Sequence, residues 1–390
     1  MDHTREPDAV STPIPRAAFA VTKSLAYLNH AGVAPLSRPA FAAMLAAADE
    51  AARLGSLAVD AQDEARERIR GSAAALMGVP VEGVLFVKNT TEGLGFVANG
   101  LDWSAGDRVV VPAHEFPSTI YPWLALADRG VVVETLPPVN DAGEVPLESY
   151  EAAFARGAVK LVCLSWVQFR RGWRTDLAAL GALCKEHGAL LCADVIQGLG
   201  VIPAELSAWG VDFAMADSHK WLLGPEGSGV MWIAPRRVEM LRVLEPGWCS
   251  VAHREEWENL EWVPDPTARR FEGGTMSVAA IAAMGASIDL ILGVGVERVW
   301  SHVDRWCDRF AEHVSELGLP VLSRREGDGR SGIVTFGAGG ADPADLVTLL
   351  AEQGVVVSPR GGGIRVSPHA YNDDSDLDRI VGALRSALRG

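Results

Sequence analysis

The chain contains no run of five basic residues and no stretch of about 18 apolar residues, the length a membrane-spanning helix requires. The first absence argues against nucleic acid or an anionic membrane as a partner, and the second against a membrane span. Residues 1–16 are polar, charged and proline-bearing, with no apolar core of signal-peptide length, so a cytoplasmic location is expected. The five cysteines, Cys163, Cys184, Cys192, Cys249 and Cys307, include no C-x-x-C pair; reduced, buried thiols are expected. The nine histidines show no H-x-x-x-H or H-E-x-x-H spacing, so no metal site is expected. Gly93-Leu94-Gly95 and Gly198-Leu199-Gly200 do not extend into a dinucleotide fingerprint, which removes a nicotinamide dehydrogenase. There is no internal repeat and no low-complexity segment.

What is present is a chain of 390 residues, 48% of them hydrophobic, with a net charge of −15. That supports one large domain and a smaller one. The acidic balance means that any anionic cofactor must meet a local positive site. Apolar runs at 83–88, 108–111, 131–136, 159–165, 189–194, 213–216 and 229–233 read as strands. Helical spacing separates several of them, at 90–99, 118–127 and 177–187. The runs are continuously apolar rather than alternating, which predicts a mostly parallel sheet covered by helices on both faces, an α/β fold. Past about residue 275 two long helices and a few short strands suggest a smaller C-terminal α+β domain. The expected division is an N-terminal segment 1–35 packing on the small domain and the active site, a large domain 36–275 and a small domain 276–390.

In such sheets ligands bind beyond the carboxyl ends of the strands. Thr90 and Thr91, Phe116, residues 165–168, Asp194 and Lys220 all follow strand candidates and so converge on one end. Lys220, in Asp217-Ser218-His219-Lys220-Trp221, has the setting of a lysine that forms a Schiff base and then moves the substrate Cα proton. Asp194, closing Leu190-Leu191-Cys192-Ala193-Asp194, is placed to keep a pyridine nitrogen protonated, which is the protein's task for pyridoxal 5'-phosphate. Gln197 is placed near the phenolic oxygen of that ring. Asn89-Thr90-Thr91-Glu92-Gly93 opens a helix, with Thr90 or Thr91 as expected N-cap, and makes a phosphate site. Phe116 is a candidate ring-stacking residue, and Arg365 a candidate clamp for a substrate carboxylate, with Arg360 second. Each has a plainer reading: surface charge for Lys220 and the arginines, strand-end cap for Asp194, turn residue for Gln197, simple caps for the threonines, core aromatic for Phe116. Trp123, Trp166, Trp173 and Trp248 are either pocket lining or core.

Together these residues resemble the class V aminotransferase family of fold-type I pyridoxal phosphate enzymes, which includes cysteine desulfurases, isopenicillin N epimerase, kynureninase and C–S lyases. The resemblance runs from Tyr27 to Asn372. It rests on Tyr-Leu-Asn-His-Ala-Gly at 27–32, Asn-Thr-Thr-Glu at 89–92, Ala-Asp-x-x-Gln at 193–197, Ser-His-Lys-Trp at 218–221 and Arg-Val-Ser-Pro-His-x-Tyr-Asn at 365–372. It implies that Lys220 bonds the cofactor, that Asp194 and Gln197 flank its ring, and that Thr90, Thr91 and His219 hold its phosphate. It further implies that Thr275 reaches the phosphate of a neighbouring subunit in a homodimer with shared active sites. Gln168 matches a polar position near the phenolic oxygen and substrate carboxylate, Phe116 the stacking position and Arg365 the carboxylate arginine; His30 and Gly32 fall on the substrate side. Asp217 departs from the pattern, since it would repel a phosphate; it is expected to point away or to bind His219.

The loop before Arg365 is short and no cysteine lies beyond Cys307. The expectation is therefore a β-eliminating C–S type lyase acting on an amino acid through Cα-proton abstraction, with an epimerase or an aminotransferase as alternative. A cysteine desulfurase using a persulfide cysteine is expected not to fit.

Overall fold

The computed structural model describes residues 12–388; the remainder of the expected N-terminal segment and the last two residues lie outside it. In chain order the elements are β1 (Ala26–Tyr27), α1 (Arg38–Leu54), α2 (Val59–Met77), β2 (Val84–Val87), α3 (Thr90–Gly100), β3 (Arg108–Pro112), α4 (Pro117–Leu124), β4 (Val132–Leu136), α5 (Leu147–Ala155), β5 (Leu161–Ser165), α6 (Leu177–Glu186), β6 (Leu190–Asp194), β7 (Phe213–Asp217) and β8 (Gly229–Ile233). Then follow α7 (Val278–Val294), α8 (Val296–Glu316), β9 (Val334–Phe336), α9 (Pro343–Glu352), β10 (Val355–Val356), β11 (Ser358–Arg360), β12 (Gly363–Val366) and α10 (Asp374–Ala387).

The central sheet has the order β2-β8-β7-β6-β5-β3-β4. Its interior strands are apolar throughout because both faces are covered. On β5, Leu161 and Cys163 pack into one core cluster while Val162 and Leu164 pack into the other; Leu190 and Cys192 on β6 alternate with Leu191 and Ala193 in the same way. β4 is the edge strand, and its residues are mostly half-buried or exposed. The sheet is mostly parallel, as expected; β8 alone runs antiparallel to its neighbours β7 and β2, a direction the apolar pattern did not indicate. Helix α5 was not foreseen, although Tyr150, Ala153 and Phe154 bury one face of it at helical spacing.

β2 is antiparallel to β8 and β8 to β7, so β2 points the same way as β7, β6, β5, β3 and β4. The carboxyl ends of all six therefore lie at one edge, and Thr90, Phe116, Ser165, Asp194 and Lys220 follow from them. The later strands form a three-stranded sheet, β11-β12-β9, that carries Arg365 on β12. The N-terminal segment is tied to this part of the chain: β1 pairs in parallel with β10, and Asn29 bridges Ser367.

Candidate active site

Lys220 follows β7 in a loop held from several sides. The Ser218 hydroxyl donates to the Pro225 carbonyl and pairs with Ser228, and the Leu223 N–H donates to the Lys220 carbonyl at 3.0 Å. Leu223 has φ 59, a left-handed conformation that costs a branched residue energy, and it is fully buried. A rigid, strained turn thus fixes the lysine. Burial lowers the Lys220 pKa, Asp194 opposes that shift, and Arg365 reinforces it. The Lys220 ammonium makes no ion pair within 4 Å among the described residues.

Asp194 is buried at the end of β6. Its carboxylate accepts the Ile196 N–H at 3.0 Å and faces the Thr119 hydroxyl at 3.5 Å. With no cation paired to it, burial raises its pKa to about 6. Phe116 is 44% exposed, and its ring centre lies 5.7 Å from the Lys220 amine. The ring meets Phe169 edge-on at 5.4 Å. The Phe169 carbonyl in turn accepts a hydrogen bond from Arg365 at 2.8 Å. Arg365 reaches Asn29 Oδ1 at 3.4 Å, but its Nε is buried with no partner. No carboxylate lies within 4 Å of it among the described residues, and burial, with Arg360 adding repulsion, lowers its pKa to about 10.

The phosphate candidates are also together. Asn89, rather than Thr90 or Thr91, is the N-cap of α3: its side chain accepts the Glu92 N–H at 2.9 Å. This correction leaves both threonines inside the first turn, where backbone donors are free of helical partners. The Thr90 N–H and hydroxyl both donate to Asp217, and Thr91 donates to Ser118 at 2.9 Å. Asp217 also lies 3.4 Å from His219 Nδ1, as expected for one of its two placements. His219 is held near a pKa of about 4 by burial and by Lys220.

Other expected site residues serve the fold around this cluster. Gln197 donates to the Ala31 carbonyl at 3.1 Å and accepts the Trp221 indole N–H at 2.9 Å. Gln168 donates to the His114 carbonyl at 2.8 Å and accepts the N–H groups of Arg170 and Arg171, both at 2.9 Å. His30 is fully buried, with Nδ1 2.8 Å from the Ser367 carbonyl and Nε2 2.8 Å from the Tyr371 hydroxyl. Both nitrogens are engaged within the fold, so His30 braces the N-terminal segment rather than facing the substrate. Gly32 is needed for packing: a Cβ there would lie 2.8 Å from the Asn29 amide, the residue that meets Arg365. Thr275 lines a cavity of about 580 Å³ with Lys88, Phe271 and Gly274, and Lys220 is not among its lining residues. Trp123 and Trp166 are core residues, Trp173 stacks under Arg324, and Trp248 lies on the surface against Trp257.

Three residues that the sequence did not single out belong to the site. Thr119 faces Asp194, and Phe169 links Phe116 to Arg365. Glu115 is buried beside them, with its carboxylate on the Ser165 N–H at 2.7 Å and on the Ser165 hydroxyl. Burial raises its pKa to about 7, and nearby Asp194 adds to the rise. An acidic residue directly before Phe116 was the available signal.

These groups fit pyridoxal 5'-phosphate. A buried acid without a cation suits a pyridine nitrogen, a buried amine without an acid suits an aldehyde, and an exposed aromatic face lies beside that amine. Helix α3 offers hydroxyls and a positive end to a phosphate. Fold and site together define a pyridoxal phosphate enzyme of fold type I.

The model of the class-V aminotransferase family matches residues 26–380, and the chain belongs to that family. A probable cysteine desulfurase of Pseudomonas aeruginosa is 31% identical over 351 residues, covering 86% of this chain and 84% of the relative. The cystine C–S lyase C-DES, solved with its product cysteine persulfide, superposes with a TM-score of 0.86 at 22% identity, covering 92% of this chain and 97% of the other. A lysine-to-alanine mutant of C-DES with glycine covalently linked to the PLP cofactor gives 0.88 at 22% identity, covering 97% and 99%. The names of these relatives overturn the expectation of a β-eliminating lyase, with epimerase or aminotransferase as alternative, from which desulfurases were excluded. That exclusion rested on one short loop without a cysteine, and similarity along the whole chain outweighs it. All five cysteines are nonetheless buried.

Proposed function

We propose that the protein liberates sulfur from cysteine or a cysteine-derived disulfide by pyridoxal phosphate-dependent cleavage of a carbon–sulfur bond. The observation that carries the reading is the Lys220 amine, placed for a cofactor aldehyde that would bond the α-amino group, with the unpaired guanidinium of Arg365 close enough to lower its pKa and free for the α-carboxylate. The desulfurase and cystine lyase names among the relatives supply the sulfur.

Bound here, the cofactor supplies an electron sink that acidifies the Cα–H bond of its substrate. The residues do the rest. Arg365 binds the α-carboxylate through two N–H groups, Nε among them. Asp194 holds a proton at the pyridine nitrogen, and Thr119 and the Ile196 N–H fix its carboxylate. Lys220, its pKa lowered by burial, takes and returns the Cα proton. Phe116, exposed beside Lys220, would stack on the ring. Thr90, Thr91 and His219 face the phosphate.

We also infer a homodimer. Its support is the surface around Thr275: this cavity and a second one lined by Trp248, Trp257 and Trp262 share Pro246 and Gly247, and all three tryptophans are exposed.

The test of function is incubation of holoenzyme with L-cysteine and L-cystine, with released sulfide or persulfide measured beside alanine and pyruvate. Sulfur release with either carbon product supports the reading. Racemised or transaminated amino acid with no sulfur released overturns it.

A further inference from the structure

Beside the candidate active site, past the ends of β3, β4 and β5, lies a cavity of about 340 Å³ lined by His114, Asn140, Asp141, Gln168, Arg170 and Arg171 among others. Its charge is unusual for this chain. The protein carries −15 overall, yet Arg170 and Arg171 have no carboxylate within 4 Å among the described residues. The Arg170 side chain makes no hydrogen bond, while Arg171 is held by two backbone carbonyls, of Gly361 at 2.8 Å and of Asp141. Both guanidinium groups lie near enough to His114 to add to the lowering of its pKa by burial. Arg360, exposed on β11, and Arg365, buried on β12, likewise have no carboxylate within 4 Å among the described residues.

The cavity is mechanically joined to the amino-acid site. Gln168 ties His114 to the backbone of Arg170 and Arg171. The residue before Arg170 is Phe169, whose carbonyl holds Arg365 and whose ring meets Phe116. Arg171 clasps Gly361, between Arg360 and Arg365. A substrate fixed at Arg365 therefore has a second cationic pocket whose backbone is tied to its own site.

We propose that this cavity is a second subsite, in which Arg170 and Arg171 receive a carboxylate at the far end of an extended sulfur amino acid whose α-carboxylate is held by Arg365. The preferred substrates are dicarboxylic, with the scissile carbon–sulfur bond between the two anchors; a far ammonium, as in a disulfide of two amino acids, would meet Asp141 and Asn140. The inference rests on the carbon–sulfur reading for the chemistry but not for the binding.

The test compares the mixed disulfide of L-cysteine with 3-mercaptopropionate, whose Cβ–S cleavage leaves a persulfide, with the disulfide of L-cysteine and 3-mercaptopropionamide; the two match in size and differ in charge. Binding is followed by the cofactor absorbance of the holoenzyme, and turnover by kcat/KM. A charge-assisted contact predicts a preference for the carboxylate of about tenfold or more. The R170Q variant should lose most of that preference and R170K should keep part of it, with folding of both checked by circular dichroism. Equal binding of the two ligands to the wild type, or a preference that survives R170Q, overturns the subsite. If the preference is present in binding while neither disulfide nor L-cysteine itself releases sulfide or persulfide, the subsite stands and the carbon–sulfur reading fails.

Discussion

Replacing Arg365 with glutamine should move stability and substrate binding in opposite directions. Burial and Arg360 hold the Arg365 pKa at about 10 against an ordinary 12.5. For a base, a folded pKa below the unfolded one means that the charge destabilises the fold. The penalty is complete below about pH 10 and fades between there and pH 12.5. At roughly 1.4 kcal/mol per pKa unit, it is on the order of 3 kcal/mol at neutral pH. Glutamine removes the charge. It also removes the hydrogen bond to the Phe169 carbonyl and the long one to Asn29, each worth about 0.5–1.5 kcal/mol. The balance runs from neutral to about 2 kcal/mol in favour of the variant, so Tm should hold or rise by a few degrees. The same change withdraws the partner of the substrate carboxylate, worth about 1.5–3 kcal/mol, so the dissociation constant for an amino acid should rise about 10- to 150-fold. Differential scanning calorimetry of Arg365→Gln at pH 7.5, beside a spectrophotometric titration with L-cysteine, reads both. A fall in Tm of more than about 5 °C with an unchanged dissociation constant would refute the reasoning and make Arg365 a structural residue.

Lys220→Ala should abolish the borohydride-reducible link between chain and cofactor and lower kcat by about 10²–10⁴-fold or more; mass spectrometry of the reduced protein checks the link, and label surviving on any peptide of the variant contradicts the assignment. The buried acids predict a pH dependence of cofactor-free protein. Asp194 is raised from 3.8 to about 6 and Glu115 from 4.5 to about 7, so the fold binds more protons than the unfolded chain in this window. The stability these groups contribute is present below their unfolded values and lost as pH rises to about 7. Urea unfolding at pH 5, 6, 7 and 8 measures it; Asp194→Asn should flatten the lower part and Glu115→Gln the upper, and unchanged slopes in both variants count against burial as the cause. Asp217→Asn removes an anion from the phosphate end and should tighten cofactor binding several-fold, more at pH 8 than at pH 5; weaker binding in equilibrium dialysis would show that the carboxylate acts instead by orienting His219.

The parts of the fold legible in the sequence were those where burial is two-sided. β5 and β6 are continuous apolar runs because a core cluster lies on each face, and the residues ending such runs, Asp194 and those around Lys220, had to emerge at one edge. Direction was not legible for β8. Gly229–Ile233 reads the same either way, and only the helix-free connection 218–228 hinted at an antiparallel return. Side-chain orientation was harder. His30, Gln168 and Gln197 have the residue types of ligand contacts, yet their polar atoms close on Ser367, Tyr371, His114, Ala31 and Trp221. Nothing in one sequence distinguishes a polar group that serves a ligand from one that locks two segments together. Glu115 and Phe169 escaped notice for the converse reason: their importance lies in which neighbours they touch. Reaction type was misread because it was inferred from one loop.

The treatment of buried charge separates the site from the rest of the core. Arg70 and Glu272 are also buried, but they form a bidentate pair at 2.7 and 3.1 Å, and Glu272 takes the Phe86 N–H as well. That is how a fold neutralises ions it cannot expose. Asp194 and Arg365 are buried to a similar degree and Lys220 is half-buried, and all three are kept more than 4 Å from any opposite charge among the described residues. Each pKa moves toward the neutral form, so each charge is a standing cost to stability. A protein that pairs Arg70 so completely has the means to pair these too. Their separation follows if the complementary charges arrive with ligands: a pyridine nitrogen for Asp194, an aldehyde for Lys220 and a carboxylate for Arg365. Dipoles and charges fixed in advance need no reorganisation when the substrate binds, and that is the physical advantage such a site gains from remaining unpaired.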